Sequence, residues 1–372
     1  MKIYRPTILE INLKNLRKNL LNIKKKVKKN VKILAVVKAD AYGHGAREVA
    51  KYIEDIVDWF GVALFEEGIE LRKVGIKKPV LVMGSVFPLD NFRLCFKYDL
   101  TPTISSYYSA EYLSKLALRY GKDQRVHIKV DTGMGRIGIN IKRAYETIKR
   151  ISKLNGIKID GVFSHLAQAE KITSFTMMQI RSFKNLKKAL ESEIGRIPLF
   201  HIANSTATFK IPESHFDMVR PGISIYGLFP YKGVLKDVDL DPVMSFKTKI
   251  VFLKEVEKGT SISYGRTWIA KRRSTIATLP VGYADGYNRL LSNKGEVLIR
   301  GKRFPVVGRV CMDMVMVDVT DLKNPQLGEE VVLWGKQGNG IIRVEEIADK
   351  ISTINYEVTA SLPKRVPRIY LK

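Results

Sequence analysis

Cysteine is scarce in this chain, and long apolar runs are missing. Cys95 and Cys311 are its two cysteines in 372 residues. So few, so far apart, cannot staple a fold of this length, and no CxxC pair suggests a metal site. The five histidines lack the spacing of an HExxH-type ligand set, so no metal is expected. No apolar run reaches the roughly 18 residues of a membrane span. The N-terminus, MKIYRPTILEINLKNL, has neither the apolar core nor the small-residue cleavage site of a secretory signal. A cytoplasmic location is the resulting expectation. Acidic residues are also in deficit, 37 against 64 Lys and Arg, for a formal net charge of +27.

That excess invites a nucleic-acid reading, because basic patches displace counterions from phosphate backbones. Much of the visible clustering lies in residues 13–30. There Leu13, Leu16, Leu20, Ile23 and Val27 recur at helical spacing with lysines between them. This is an amphipathic helix with a solvated basic face. The other basic residues are spread without RNP, KH or zinc-finger signatures, so neither nucleic acid nor membrane is expected as a partner. A basic field that attracts an anionic cofactor is compatible with the same composition.

Hydrophobic residues make up 45% and charged residues 27% of the chain, an ordinary globular balance. Its length exceeds the ~250–300 residues at which single cores stop growing, which predicts two domains. Strand candidates fall at 33–37, 59–64, 79–83, 100–104, 126–130, 159–163, 199–202 and 218–220, and helical periodicity is clearest at 110–120, 142–154 and 173–192. Strands alternating with helices predict an α/β fold, a TIM-type (β/α)8 barrel, with an open doubly wound sheet as the alternative on pattern alone. After about residue 240 the texture changes. Segments 246–253, 274–278, 297–299, 315–319 and 330–333 are short, β-branched and separated by Gly, Asn and Lys. They predict a mainly β domain. The boundary is expected within 231–242, giving a barrel of residues 1–236 and a β domain of residues 237–372.

Several polar residues fall at one end of the predicted barrel, the face where such folds carry chemistry. Lys38 ends the first strand ahead of a glycine-rich turn, where partial desolvation would depress its pKa and leave a nucleophilic amine for Schiff-base chemistry. A lone lysine there is more often a solvated strand cap. Yet Arg136 follows strand five, His165 ends strand six, Asn204 and Ser205 end strand seven, and Arg220 ends strand eight. Polar groups from five strands converging on one face are hard to explain by structure alone. Ser205 with Gly222 also fits the phosphate site this architecture keeps after strands seven and eight. Asp131-Thr132-Gly133 matches the aspartic-protease triplet, but it sits in an alternating α/β region and is discounted.

The run Val37-Lys38-Ala39-Asp40-Ala41-Tyr42-Gly43-His44-Gly45 resembles the cofactor-lysine signature of the alanine racemases, enzymes that use pyridoxal phosphate (PLP). Similar motifs follow in family order at 131–138, 201–205, 219–227, 263–265, 282–286, 311–313 and 354–357. The resemblance covers nearly the whole chain. It implies a barrel plus a β domain, a head-to-tail homodimer with two shared active sites, and two-base interconversion of L- and D-alanine that supplies peptidoglycan. In that comparison Lys38 holds PLP and serves as the D-side base, and Tyr264 of the partner subunit is the L-side base. Tyr42, Ser205, Gly222, Ile223 and Tyr356 hold the phosphate, with Asn204 beside them. Arg136 binds the phenolic oxygen and the substrate, Arg220 faces the pyridine nitrogen, and His165 bridges towards Arg220. Met312 and Tyr283 of the partner subunit contact the substrate. Lys129 matches a lysine often carbamylated in the family to hold the arginine.

Two bases must flank a carbon whose proton leaves one face and returns to the other, and an always-charged Arg220 beside the ring nitrogen limits side reactions. The nearest rival is a serine or broad-specificity racemase of the same family. A PLP decarboxylase on a similar scaffold and a catalytically silent PLP-binding protein are weaker alternatives.

Overall fold

The computed structural model describes residues 4–229 and 238–372. The expected boundary at 236/237, and most of the 231–242 segment around it, lies outside the described residues.

The short apolar runs of the first half become eight parallel strands: Lys32–Val36, Trp59–Val62, Val80–Val82, Thr101–Ile104, Gln124–Asp131, Ile157–Phe163, Leu199–His201 and Met218–Val219. The last of them pairs back onto the first, Met218 opposite Lys32. Between the seventh and eighth strands the ring is closed by isolated bonds rather than a strand ladder, among them Asp217 N to Phe200 O at 2.9 Å, Arg220 N to Ala203 O at 3.0 Å and Phe200 N to Asp217 Oδ2 at 2.9 Å. Strands this apolar are buried on both faces, as a barrel demands. Helices Tyr107–Tyr120, Ile141–Ile151 and Ser174–Ile194 match the predicted periodicities within a few residues.

The amphipathic helix also forms, over Leu13–Lys26, with Leu13, Leu16, Leu20 and Ile23 buried. The Asn12 side chain accepts a bond from Asn15 N at 3.0 Å to begin it, and three lysines in its last turn suit a helix C-terminus. It ends at Val27, which is extended, short of the expected residue 30.

The second half is mainly β, as its texture predicts. Its largest sheet runs Lys302–Pro305, Glu296–Ile299, Glu330–Gln337, Met244–Lys249, then Ile8–Asn12 and Arg368–Leu371. The strand Ile8–Asn12, expected within the barrel unit, thus pairs antiparallel with Met244–Lys249 and parallel with Arg368–Leu371. Its apolar residues Leu9 and Ile11 are wholly buried there. The expected strand 246–253 is two strands, Met244–Lys249 and Phe252–Val256, because the chain crosses at residues 250–251 into a separate three-stranded sheet with Ser274–Leu279 and Val315–Asp318. The C-terminal helix Asn355–Ala360 returns to the barrel mouth and carries Tyr356 with it.

Candidate active site

The first barrel strand ends one residue earlier than the apolar run suggests, and Lys38 opens a turn of unexpected hand. Ala39, Asp40, Ala41 and Tyr42 take φ of 52°, 51°, 55° and 53°, a left-handed helical turn built from L-residues with side chains. Each such residue costs roughly 1–2 kcal/mol, so the surroundings must hold the turn in place. Ala39 N donates to Glu67 Oε1 at 2.6 Å, Ala46 N to Asp40 Oδ1 at 2.8 Å, and Arg368 Nε to Gly43 O at 3.2 Å. Gly43 and Gly45, both at positive φ, lie so close to Thr359 O and the Tyr370 hydroxyl that a Cβ would overlap them. His44 stacks on Tyr226 at 4.5 Å; burial pushes its pKa down to about 4, so the ring is neutral at physiological pH.

Lys38 faces a cavity of about 510 Å³ that also exposes Tyr42, Lys129, Arg136, His165, Asn204, Ser205, Arg220, Gly222, Ile223 and Tyr356. Every barrel residue expected from the strand ends is therefore in one place. Burial lowers the Lys38 pKa, the Arg136 charge lowers it further, and Glu67 opposes both.

Arg220 is 4% exposed and is held from below. It donates to His201 Nδ1 at 2.9 Å, Ser164 O at 2.7 Å, Ile202 O at 3.1 Å and, more weakly, His165 Nδ1 at 3.4 Å. None of these bonds uses Nε. Because arginine only donates, His201 must present a bare Nδ1, and its Nε2–H faces His127 Nδ1 at 2.8 Å. Burial first, then the Arg220 charge, lowers the pKa of His165, His201 and His127 alike. The barrel core beneath Arg220 is thus filled by neutral histidines. The triplet Asp131-Thr132-Gly133 has a plain role: the Asp131 carboxylate accepts N–H bonds from Gly133, Met134 and Gly135 and shapes the loop that carries Arg136. Burial works against its charge, but those bonds prevail and its pKa is lowered.

On the far side, Ser205 Oγ accepts from Gly222 N at 2.8 Å and Ser224 N at 3.4 Å, leaving its own proton free to donate. Asn204, rather than ending a strand, caps the helix Ser205–Lys210 by accepting from Ala207 N at 3.0 Å. A Cβ at Gly222 would stand 2.6 Å from the Tyr42 hydroxyl. The Tyr42 and Tyr356 rings are 5.9 Å apart, and both line the cavity.

Tyr264, Tyr283 and Met312 are absent from this cavity and stand 70%, 41% and 54% exposed on the β half. They are nonetheless gathered together. Ser263 Oγ donates to Arg309 O at 2.6 Å, while Tyr283 N and Ala284 N donate to Cys311 O and Met312 O, each at 3.0 Å. The Tyr283 loop is anchored by the fully buried Asp285, gripped by Arg5 at 2.7 Å and Arg365 at 3.0 Å. Ser263, at φ 65° and ψ −176°, takes a conformation that normally requires glycine.

Comparison with known proteins agrees with this geometry. Residues 11–230 match the family "Alanine racemase, N-terminal domain" and residues 243–370 match "Alanine racemase, C-terminal domain". The chain belongs to the alanine racemase family. An alanine racemase of Halothermothrix orenii is 48% identical over 371 residues, covering 99% of this chain and 98% of that one. A solved alanine racemase of Clostridium difficile superposes with a TM-score of 0.94 at 41% identity, covering 100% of this chain and 97% of that one. One from Bacillus anthracis, with bound L-Ala-P, gives 0.93 at 35% identity, with 100% and 96% covered.

Sequence reasoning overlooked two residues beside this racemase-family site, Glu67 and His127, and gave no role to His201 although it opens the motif 201–205. His127 could have been found, since it lies two residues before Lys129 on one strand and so shares its face. Glu67 carries no such signal.

Proposed function

We propose that the chain interconverts L- and D-alanine with PLP held on Lys38, in a homodimer where Lys38 of one protomer works with Tyr264 of the partner subunit. The observation that carries this reading is Lys38 itself. Its amine, with a pKa lowered by burial, opens into a cavity of about 510 Å³ lined by Lys129, Arg136 and Arg220. That volume suits a cofactor and a small amino acid, and cations of this density suit an anionic ligand.

The donor set fits PLP. The Tyr42 and Tyr356 hydroxyls bond no described residue, and with the Ser205 hydroxyl they offer three donors to a phosphate beside Gly222 and Ile223. When bound, PLP supplies the electron sink that makes the substrate α-proton removable. The chain supplies the rest. Arg220, oriented by His201 and two carbonyls with its Nε–H left free, would hold the ring nitrogen, and its positive charge would disfavour a proton there. His165 stays neutral and buttresses Arg220. Arg136 neutralises the phenolic oxygen and the substrate carboxylate. Asn204 shapes the floor beside Ser205.

Lys38 moves the proton on the D side, and its lowered pKa leaves more of the amine ready to accept at neutral pH. Tyr264 of the partner subunit moves it on the L side. Met312 of the partner subunit offers its backbone to the substrate carboxylate, and Tyr283 of the partner subunit narrows the entrance. The exposure of Tyr264, Tyr283 and Met312 as one cluster supports this division, because a site used by a neighbour must face outward. Lys129, with its pKa held well below the ordinary lysine value by burial and by Arg220 and Arg136, can add to carbon dioxide. The N–C bond forms as the amine loses a proton, and the carbamate anion then faces Arg136. The enzyme works in the cytoplasm, and the D-alanine so made supplies peptidoglycan.

The test is to incubate purified protein and PLP with each L-amino acid and resolve the enantiomers. D-alanine should dominate, and equal turnover of serine would favour the broad-specificity alternative. Borohydride should fix the cofactor on the peptide bearing Lys38, and Lys38→Ala should abolish turnover; labelling of another lysine refutes the assignment.

A further inference from the structure

Glu67 sits in the first turn of the helix Phe65–Lys73, where an acidic side chain ordinarily serves its own helix. It does so here, with Oε2 accepting from Ala63 N at 2.7 Å and Leu64 N at 3.1 Å. The other oxygen does something a helix cap does not require. Oε1 accepts from Ala39 N at 2.6 Å, the amide directly after Lys38, on a different loop 28 residues away. We propose that Glu67 is a positioning residue for Lys38: its carboxylate ties the left-handed turn to the second strand's loop at the peptide that follows the lysine. The inference rests on Lys38 being the cofactor lysine.

Two physical arguments bear it. Four consecutive L-residues at φ of 51–55° do not hold that turn unaided. The Asp40 and Arg368 tethers act at Ala46 and Gly43, at the far end of it. Among the side-chain hydrogen bonds of the described residues, only that of Glu67 reaches the Lys38–Ala39 peptide; His44 Nδ1 contacts the later carbonyls of Ala41 and Tyr42. Secondly, the cavity side of the turn is cationic. Glu67 raises the Lys38 pKa against burial and the Arg136 charge, and it is felt by the phenols of Tyr42, within the turn, and of Tyr226. On the flanking elements Arg47 is engaged with Glu70 at 3.7 Å, and Asp40 acts on Tyr226 and Tyr370. Neither supplies the lysine with a counter-charge.

The experiment compares the full-length holoenzyme with its E67Q and E67D variants. Glutamine keeps the shape but has one accepting oxygen, so either Ala39 N–H or the Ala63 and Leu64 pair loses its partner. We expect E67Q to show faster amide hydrogen exchange in peptide 38–45 and kcat lowered about tenfold with KM within about twofold. The pH limb of kcat, which reports the lysine amine once substrate has freed it from the cofactor, should shift to lower pH. E67D is too short to reach Ala39, so exchange should rise as well, but its retained charge should keep the limb near the wild-type position. If E67Q does not fold, E67D carries the exchange test. Wild-type exchange at 38–45 in both variants, with an unmoved limb, overturns the proposal even if Tm falls, and leaves only a helix cap. Failure of the functional reading is separately visible: the wild type itself would lack racemisation or the borohydride mark on Lys38.

Discussion

Lys129 is 4% exposed, its amine 4.5 Å above the Phe163 ring, and no described carboxylate bonds it. Desolvation, then the charges of Arg220 and Arg136, drive its pKa well below the ordinary lysine value, with Asp131 opposing. The sign of the consequence follows from linkage. Below the folded-state pKa both folded and unfolded chains are protonated, and the fold bears the full penalty. Above the unfolded value, near 10.5, neither is protonated and the penalty is gone. Between them the unfolded chain holds the extra proton, so stability rises with pH by up to about 1.4 kcal/mol per unit for this group. Lys38 contributes in the same direction. Urea unfolding in carbonate-free buffer should therefore give a higher stability at pH 9 than at pH 7, and Lys129→Met should flatten the slope. Bicarbonate should raise the Tm of the wild type and leave that of Lys129→Met unchanged, because only a bound carbamate ties carbon dioxide to folding. Equal shifts in both proteins would remove Lys129 from the account.

The left-handed turn is where local preference and final structure part most widely. Gly43 ends it at φ 83°, with Thr359 O only 2.0 Å from where a Cβ would be. Gly121, at φ 59°, caps the helix Tyr107–Tyr120 with nothing within 4 Å. The pair separates two costs that sequence alone would merge. Gly121→Ala should lose about 1 kcal/mol for its backbone alone. Gly43→Ala must also displace the C-terminal helix that carries Tyr356, and should lose about 3 kcal/mol or more together with cofactor affinity. Denaturation midpoints and PLP titration measure both. A Gly43→Ala chain as stable as Gly121→Ala would mean that the Thr359 contact relaxes freely.

Lys38 and Tyr264 belong to opposite halves of the molecule, and in a single chain the tyrosine is 70% exposed. If two copies share their sites, Lys38→Ala and Tyr264→Phe are each inactive alone. Two-fold symmetry then places both lesions in one site of a mixed dimer and none in the other. Random reassociation of equal amounts makes about half the dimers mixed, so about a quarter of wild-type activity should return. Sites built within single chains would restore nothing at any ratio. Zero recovery, with subunit exchange verified by tags, would refute the shared arrangement.

The barrel strands and their helices were legible because burial imposes a period: strands hidden on both faces read as apolar runs, and Leu13, Leu16, Leu20 and Ile23 read as one helix stripe. Lys38, Arg136, His165, Ser205 and Arg220 were legible because strand ends in a barrel share one face. The left-handed turn was not, since hydrophobic spacing reports which face is buried and says nothing of backbone hand. The strand Ile8–Asn12 could not be assigned to the second sheet, because its partners at 244–247 and 368–371 are distant in sequence. Glu67 stayed hidden for the same reason, its bond to Ala39 spanning two loops. The sequence by itself determined which segments are helix or strand and which residue types stand at the barrel mouth, because those depend on local periodicity. Only the tertiary structure decided the conformation of the Lys38 turn, the neutral histidines beneath Arg220 and the outward placement of Tyr264, because these depend on contacts between distant segments and on the low polarity their packing creates.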